Sequence, residues 1–320
     1  DRGGVFAQLY GTVALLEPEE RARIAGLVIN KFRGDVDILR PGLAMLEEKT
    51  GLPVLGVVPY LHVEIEDEDS LSERLNARDA VKPLDVAVIR LPHISNFTDF
   101  IPLEQHELLG VRYVQRAREL GAPDLVILPG TKNTMEDLLW LRQSGLEAAV
   151  RKLAQAQTPV LGVCGGYQML GQTLDDPAGM ESGKPLSLAG LGLLPTWTTF
   201  DAQKRRTQVR AVALGAPFAG ARMTGYEIHN GRTTVNGEPF CRLADGTPEG
   251  CVCKNVFGTY LHGLFDADVF RHAFLAARRA EAGLPPAPQA AYDLGPELDR
   301  LADCLEAALD LPAVYAQLRL

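Results

Sequence analysis

The sequence has few of the features that mark secreted, membrane or nucleic-acid-binding proteins. It has 5 scattered cysteines in 320 residues, so we expect no disulfide framework and a cytoplasmic location. No apolar run reaches the about 18 residues of a membrane span, and the first residues do not form a signal peptide. The formal net charge of -9 argues against nucleic acid or an anionic membrane surface as the main partner.

A phosphate-binding loop is also absent. The pattern Gly-x-x-x-x-Gly-Lys-Ser/Thr, whose backbone amides hold nucleotide phosphates, occurs nowhere in the sequence. The chain starts with Asp-Arg-Gly-Gly-Val-Phe, which is typical of a strand entering a glycine turn, so we expect further protein upstream. We expect no metal site at Cys251-x-Cys253 either, because zinc motifs space their cysteines more widely and need a fourth ligand.

The pattern of apolar segments predicts an α/β protein. Short apolar strands at residues 24–30, 54–58, 86–91, 111–114 and 125–128 alternate with helical segments, which indicates parallel sheets. Ligands of such sheets bind at the carboxyl ends of the strands. We predict one domain over residues 1–82 and a second over 83–320 that includes a final helix at 297–318. Valine, threonine and glycine dominate residues 190–257, which predicts an antiparallel extension of the main sheet.

The segment Thr-Pro-Val-Leu-Gly-Val-Cys-Gly-Gly-Tyr-Gln-Met-Leu-Gly, residues 158–171, has the pattern of a nucleophile elbow. It places Cys164 on a strand-to-helix turn, between Gly162 and the pair Gly165 and Gly166. Glycines are needed there because the backbone leaves no room for a β-carbon. A thiol at a helix N-terminus is more readily ionised, so Cys164 is the predicted nucleophile.

A cysteine nucleophile needs a base and two donors for the developing oxyanion. His262 is the best candidate base because it lies on a glycine-flanked loop after a predicted strand. The amide of Gly165 is one natural donor. The amide of Gly130 or of its neighbour, at the end of an adjacent strand, is the other.

Four motifs together resemble the triad-class (class I) glutamine amidotransferase domain of the cobyric acid synthase and cobyrinate diamide synthase family. They are Pro-Gly-Thr-Lys-Asn-Thr, the elbow itself, Gly-Tyr-Glu-Ile-His-x-Gly, and Gly-Thr-Tyr-Leu-His-Gly-Leu-Phe. The first part, with Asn-Lys-Phe-Arg-Gly-Asp, resembles the rear half of that family's dethiobiotin-synthetase-like ATP-binding domain. Ser-Asn-Phe-Thr-Asp-Phe is most similar to the cobyric acid synthase branch.

The resemblance implies a carbon–nitrogen ligase in cobalamin biosynthesis. Such an enzyme releases ammonia from glutamine through a thioester on Cys164, and amidates corrinoid carboxylates of cobyrinic acid diamide with ATP and Mg²⁺. His262 would be the general base and acid, with Gly130 and Gly165 as the oxyanion hole. Glutamine-binding roles would fall to three side chains: Gln168, Glu227 and His229.

In the ATP-binding part, the resemblance implies that Asn30 reads the adenine edge and that Asp1 lies near the metal. Two alternatives stay open. One is cobyrinate a,c-diamide synthase or another amidase-ligase of the group, and the other is a stand-alone thiol hydrolase or a silent partner-binding domain.

A third catalytic residue is not expected from the sequence. In most triad-class amidotransferases a glutamate follows the histidine by two positions, and here that position is Leu264. Asp266 and Glu227 are the nearest charged candidates, but they belong to other parts of the loop and pocket. We therefore predict a dyad of Cys164 and His262, with the imidazole held by a backbone carbonyl or water.

Overall fold

The computed structural model describes residues 3–63, 65, 82–215, 218–286 and 291–317. Its helices are α1 (Val5–Leu15), α2 (Pro18–Arg21), α3 (Val36–Thr50), α4 (Ile101–Glu104), α5 (Ala117–Leu120), α6 (Thr134–Gln143), α7 (Leu146–Gln155), α8 (Gly165–Leu170), α9 (Asp268–Glu281), α10 (Gly295–Ala308) and α11 (Leu311–Gln317). A single 3-10 helix in this part of the chain spans Phe97–Phe100.

The strands are β1 (Leu27–Phe32), β2 (Val54–Pro59), β3 (Leu84–Ile89), β4 (Leu109–Val114), β5 (Leu125–Leu128), β6 (Val160–Val163), β7 (Thr173–Asp176), β8 (Leu186–Ala189), β9 (Thr196–Thr199), β10 (Arg205–Ala213), β11 (Arg222–His229), β12 (Arg232–Val235), β13 (Cys241–Leu243), β14 (Pro248–Glu249), β15 (Cys251–Cys253), β16 (Val256–Thr259) and β17 (Leu261–His262). They form one two-stranded, one four-stranded, one five-stranded and one six-stranded sheet.

The chain forms two units. One contains Asp1–Ile65 and Asp293–Leu320, and the other contains Glu66–Tyr292. The first has a small parallel sheet of β1 and β2, with Val13, Leu27 and Leu46 buried in its core. The helix α3 begins where the Asp35 side chain accepts a hydrogen bond from the Asp37 amide, a normal N-cap.

The C-terminal helices belong to the first unit, not to the second domain as the sequence-based division had them. Leu309 pairs with Gly56 of β2, and the Asp310 amide donates to the Leu55 carbonyl over 2.7 Å. These bonds satisfy backbone groups at an open edge of a two-stranded sheet, which explains why the segment returns to it. The predicted final helix is also interrupted, because the chain leaves helical geometry at Leu309 between α10 and α11.

The second unit is built on the six-stranded sheet, with strand order β15-β16-β6-β5-β3-β4. All its neighbouring strands run parallel except β15 against β16. Every residue of β5 and β6 is buried, as expected for central strands of a covered parallel sheet. The predicted α/β parallel-sheet fold is confirmed here.

The sequence predicted that the region after the elbow extends the main sheet, and this is wrong for most of it, because only β15 and β16 join that sheet among the described strands after α8. The rest forms two further sheets, with strand orders β14-β13-β10-β11-β17 and β12-β9-β7-β8. Strands β10 and β11 pair along their length as an antiparallel ladder, and their outer edges pair with β13 and β17. Its neighbour β17 carries His262 to the edge of the site.

Candidate active site

Cys164 lies between β6 and α8, on the predicted strand-to-helix turn. Its backbone has φ 51° and ψ -108°, a conformation that residues with a β-carbon rarely adopt. The Cys164 amide donates to the Thr259 carbonyl over 2.8 Å, and its carbonyl accepts from the Gln168 amide. These bonds hold the strained turn, and strain of this kind is concentrated at functional sites.

The glycines around Cys164 are required by close backbone contact. A β-carbon on Gly166 would overlap the carbonyl oxygen of Leu128 in β5. One on Gly162 would lie 2.6 Å from Leu170 Cδ1 and 2.7 Å from the Tyr167 nitrogen. The first turn of α8 therefore packs directly onto the sheet, which brings the thiol to the ends of the strands.

The Cys164 thiol is 8% exposed and donates a 3.5 Å hydrogen bond to the carbonyl of Ile228 in β11. The His262 side chain is fully buried, and it interacts with the Cys164 thiol through hydrogen bonding and charge. The ring of Tyr226 stacks on the imidazole, with centroids 5.2 Å apart and planes 22° from parallel. The structure therefore brings the predicted nucleophile and the predicted base together.

The prediction that no carboxylate would hold His262 is wrong. Oδ2 of Asp99 lies 2.6 Å from His262 Nδ1, and Oδ1 accepts a 3.0 Å hydrogen bond from the Gly263 amide. Asp99 is itself buried, in the 3-10 helix Phe97–Phe100. The expected backbone carbonyl or water is thus replaced by a charged side chain from a distant part of the chain.

The electrostatics of His262 follow from these neighbours. Burial disfavours the charged imidazole, but the Asp99 charge and hydrogen bond, together with the Cys164 thiol, raise the His262 pKa to about 10. In the described part of the chain, the buried Nε2 atom has no hydrogen-bond partner. An imidazolium next to a thiol favours the thiolate, which is the reactive form of cysteine.

The predicted oxyanion residues lie at the same edge of the sheet. Gly130 follows β5, and a β-carbon there would be 3.1 Å from His262 Cε1. Gly165 opens α8, and a β-carbon there would be 3.3 Å from the Thr131 nitrogen. The two backbone turns therefore flank the thiol and the imidazole.

Gln168 is buried, and its side-chain amide is engaged with protein groups. Oε1 accepts from the Thr134 hydroxyl at 3.1 Å, and Nε2 donates to the Asn230 carbonyl and the Tyr260 hydroxyl. The amide thus connects α8 to the chain beyond β11.

Glu227 and His229 lie on the opposite face of β11 from Tyr226, because side chains alternate along a strand. They line a cavity of about 880 Å³, whose lining residues do not include Cys164 or His262. Burial raises the Glu227 pKa, although Arg205 forms an ion pair with it and opposes that shift. Burial also lowers the His229 pKa to about 4, so this ring is neutral at pH 7. His229 still lies close enough to His262 for the two imidazoles to interact electrostatically.

Residues 85–270 match the family described as CobB/CobQ-like glutamine amidotransferase domain. The chain belongs to this family. Residues 1–71 match the CobQ/CobB/MinD/ParA nucleotide binding domain. The resemblance inferred from the motifs, and the two-part fold class with it, is confirmed.

Several curated relatives are named cobyric acid synthase. The one from Ruminiclostridium cellulolyticum is 46% identical over 98% of this chain and 64% of its own length. The one from Sorangium cellulosum is 48% identical over 97% of this chain and 65% of its own length. The one from Listeria monocytogenes is 50% identical over 84% of this chain and 54% of its own length. The chain thus spans less than two thirds of each of these relatives.

Asn30 and Asp1 lie in the part that matches the nucleotide binding domain, not the amidotransferase domain. Asn30 is exposed on β1, and its Oδ1 accepts a 2.8 Å hydrogen bond from the Lys31 amide. It belongs to the first unit, whereas Cys164 belongs to the second. Asp1 lies outside the described residues.

Among the described residues, no helix has the length and apolar character of a membrane span. Among them, no group of three or more His, Cys, Asp or Glu side chains is arranged to hold a metal ion.

Asp99 is the functional candidate that sequence reasoning missed. Its segment, Ser-Asn-Phe-Thr-Asp-Phe, served only to choose a branch of the amidotransferase family. One signal could have identified it. Asp99 lies among apolar residues in the loop that follows β3, and ligands of parallel sheets bind at such strand ends.

Proposed function

We propose that this chain carries the glutaminase half of a cobyric acid synthase. The whole enzyme takes ammonia from glutamine and uses ATP to amidate corrinoid side-chain carboxylates of cobyrinic acid diamide. The observation that carries the proposal is a buried thiol on a strained elbow beside a buried imidazole. The relatives named cobyric acid synthase, which match almost the whole chain, support the choice of acceptor.

The proposed reaction begins with attack of the Cys164 thiolate on the carboxamide carbon of glutamine. The C–S bond forms, and the amides of Gly130 and Gly165 stabilise the oxyanion. His262 holds the thiol proton at Nε2 and gives it to the departing nitrogen, so ammonia leaves and a γ-glutamyl thioester remains. A water molecule then loses a proton to His262 and attacks the thioester, which releases glutamate and restores the thiol.

In this proposal Gln168, Glu227 and His229 do not take part in bond making; they hold the walls of the glutamine pocket in place. Gln168 fixes the Asn230 carbonyl and the Tyr260 hydroxyl in place through its engaged amide. His229 stacks on Tyr260, with ring centroids 3.6 Å apart. Glu227 and His229 therefore support the wall of the glutamine pocket from its far side.

The ATP-binding proposal rests on fewer residues. Asn30, in the carboxyl-terminal half of the parallel strand β1, fits recognition of an adenine edge through its amide nitrogen. The chain as given offers no matching site for the phosphates of ATP, because its sequence contains no Gly-rich phosphate loop. ATP with Mg²⁺ would supply the activation of the acceptor carboxylate, and Asp1 is proposed to lie near that metal. No step of the glutaminase reaction depends on either group.

Glutamine hydrolysis by this chain tests the proposal. We expect glutamate release with free glutamine, and loss of at least about 10³-fold in kcat for Cys164→Ala. Binding of glutamine should persist in that variant, because the backbone donors remain. The matched control is Cys304→Ser, which removes a partly exposed thiol in the other unit.

After an acid quench during turnover, electrospray mass spectrometry should detect the γ-glutamyl thioester on the peptide that contains Cys164. Retained hydrolysis in Cys164→Ala would overturn the proposal. A wild-type chain that binds glutamine without hydrolysing it would favour a silent binding domain instead.

A further inference from the structure

We propose that Asp99 is the positioning residue of the catalytic group, holding His262 so that Nε2 faces the Cys164 thiol. The inference deepens the proposed glutaminase function and rests on it. It assigns the role of the third triad member to an aspartate 163 positions before the histidine.

The first observation is that both carboxylate oxygens of Asp99 are bonded to the histidine loop. Oδ2 contacts His262 Nδ1 at 2.6 Å, and Oδ1 accepts from the amide of the next residue, Gly263, at 3.0 Å. Two bonds to consecutive residues fix the plane of the carboxylate. The side chain is 6% exposed, so water competes little for these bonds.

The second observation is that the segment leading to Asp99 holds the rest of the site. Asn96, at φ 52°, donates from Nδ2 to the Tyr226 hydroxyl over 2.7 Å, and the Tyr226 ring stacks on His262. The Ser95 amide donates to the Gly130 carbonyl over 2.9 Å. One short segment therefore contacts the imidazole edge, the ring stacked on its face, and the proposed oxyanion turn.

These contacts determine how protons are placed. A carboxylate accepts hydrogen bonds and cannot donate them, so Nδ1 must carry a proton and Nε2 is left to exchange one with the thiol. The titratable groups around the imidazole are Asp99, Cys164 and the stacked Tyr226, and His229 interacts with it electrostatically from the other face of β11. The contact with Nδ1 comes from Asp99.

The variant Asp99→Asn tests this assignment. If its Oδ1 keeps the bond from the Gly263 amide, its NH₂ group faces Nδ1 and forces the imidazole into the wrong tautomer. The same change in a serine protease costs about 10⁴ in kcat, and a thiol is less demanding, so we expect a loss of about 10²–10³. The KM for glutamine should change by less than about threefold, because Asp99 does not touch substrate.

The matched control is Asp266→Asn, an exposed aspartate three residues after Gly263 on the same loop. Its kcat should fall by less than about tenfold. Circular dichroism and the melting temperature of both variants check that they fold.

The pH dependence of Cys164 alkylation by iodoacetamide distinguishes a positioning role from a purely structural one. It should change only if Asp99 acts on the charge of His262. Peptide mass spectrometry separates Cys164 from the other four cysteines. The midpoint of this pH dependence is compared between the wild type and Asp99→Asn. In Asp99→Asn it should rise by at least about one pH unit, because the buried imidazole loses the partner that favours its charged form.

The outcomes separate the two proposals. A kcat for Asp99→Asn within tenfold of wild type, or a lost kcat with an unchanged alkylation midpoint, would overturn the role of Asp99. A wild type without glutaminase activity defeats the proposed function, while the alkylation shift still decides on Asp99. If Asp99→Asn does not fold, ¹⁵N-histidine NMR of the wild type decides, because an unprotonated His262 Nδ1 would refute the assignment.

Discussion

Replacement of Gly166 by alanine should test whether the elbow depends on backbone contact between α8 and the sheet. A β-carbon at this position would overlap the Leu128 carbonyl oxygen and lie 2.5 Å from its carbonyl carbon. The Gly166 amide also donates to the Pro129 carbonyl over 3.0 Å, so the helix cannot move away without losing that bond.

The size of the effect follows from these contacts. Leu128 belongs to a central strand bonded on both sides, so the sheet cannot yield easily. Overpacking of this kind costs about 1–3 kcal/mol, and the added hydrogen-bond loss puts our expectation at about 2–4 kcal/mol. For a unit of this size each kcal/mol lowers Tm by about 2–4 °C, so we expect a fall of about 4–16 °C.

Differential scanning calorimetry measures that fall in Tm. An assay at a temperature where the variant is still folded should also show a lower rate of glutamine hydrolysis than wild type. Gly215→Ala is the matched control in the same unit, because no atom lies within 4 Å of its added β-carbon. A Gly166→Ala protein that melts within about 1 °C of wild type would refute the proposed dependence on close approach.

The remaining predictions concern charge, anchoring and nucleotide. Burial raises the Glu249 pKa to about 7 against the hydrogen bonds it accepts, so the wild type should lose about 3 kcal/mol of stability as pH rises from about 4.5 to 7. The Tm of Glu249→Gln relative to wild type should therefore increase between pH 5 and pH 8, and a constant difference would contradict the buried neutral carboxyl. Gln168→Ala should lower Tm by several degrees and raise the KM for glutamine, because it removes the hydrogen bonds to the Tyr260 hydroxyl and the Asn230 carbonyl; an unchanged KM would remove Gln168 from the site. Calorimetry with MgATP should show little heat, because Asn30 offers a base contact without phosphate contacts, and micromolar binding would contradict this interpretation.

The sequence alone predicted the features that depend on neighbours in the chain. Cys164 and its glycines form one continuous motif, because a strand-to-helix turn is built from consecutive residues. The alternation of apolar strands and helices likewise indicated the parallel sheet, since burial of central strands requires apolar side chains along their whole length. The family resemblance followed from four such local motifs.

Contacts between distant segments were decided only by the tertiary structure. Asp99 meets His262 because parallel strands bring their carboxyl ends to one edge, and no spacing in the sequence encodes which loops then touch. Glu227 and Tyr226 are adjacent in sequence yet face opposite sides of β11, and their assignment to one pocket or another depends on what packs against each face. The return of the C-terminal helices to β2 has the same cause, because the bond between Asp310 and Leu55 joins segments that only folding brings together.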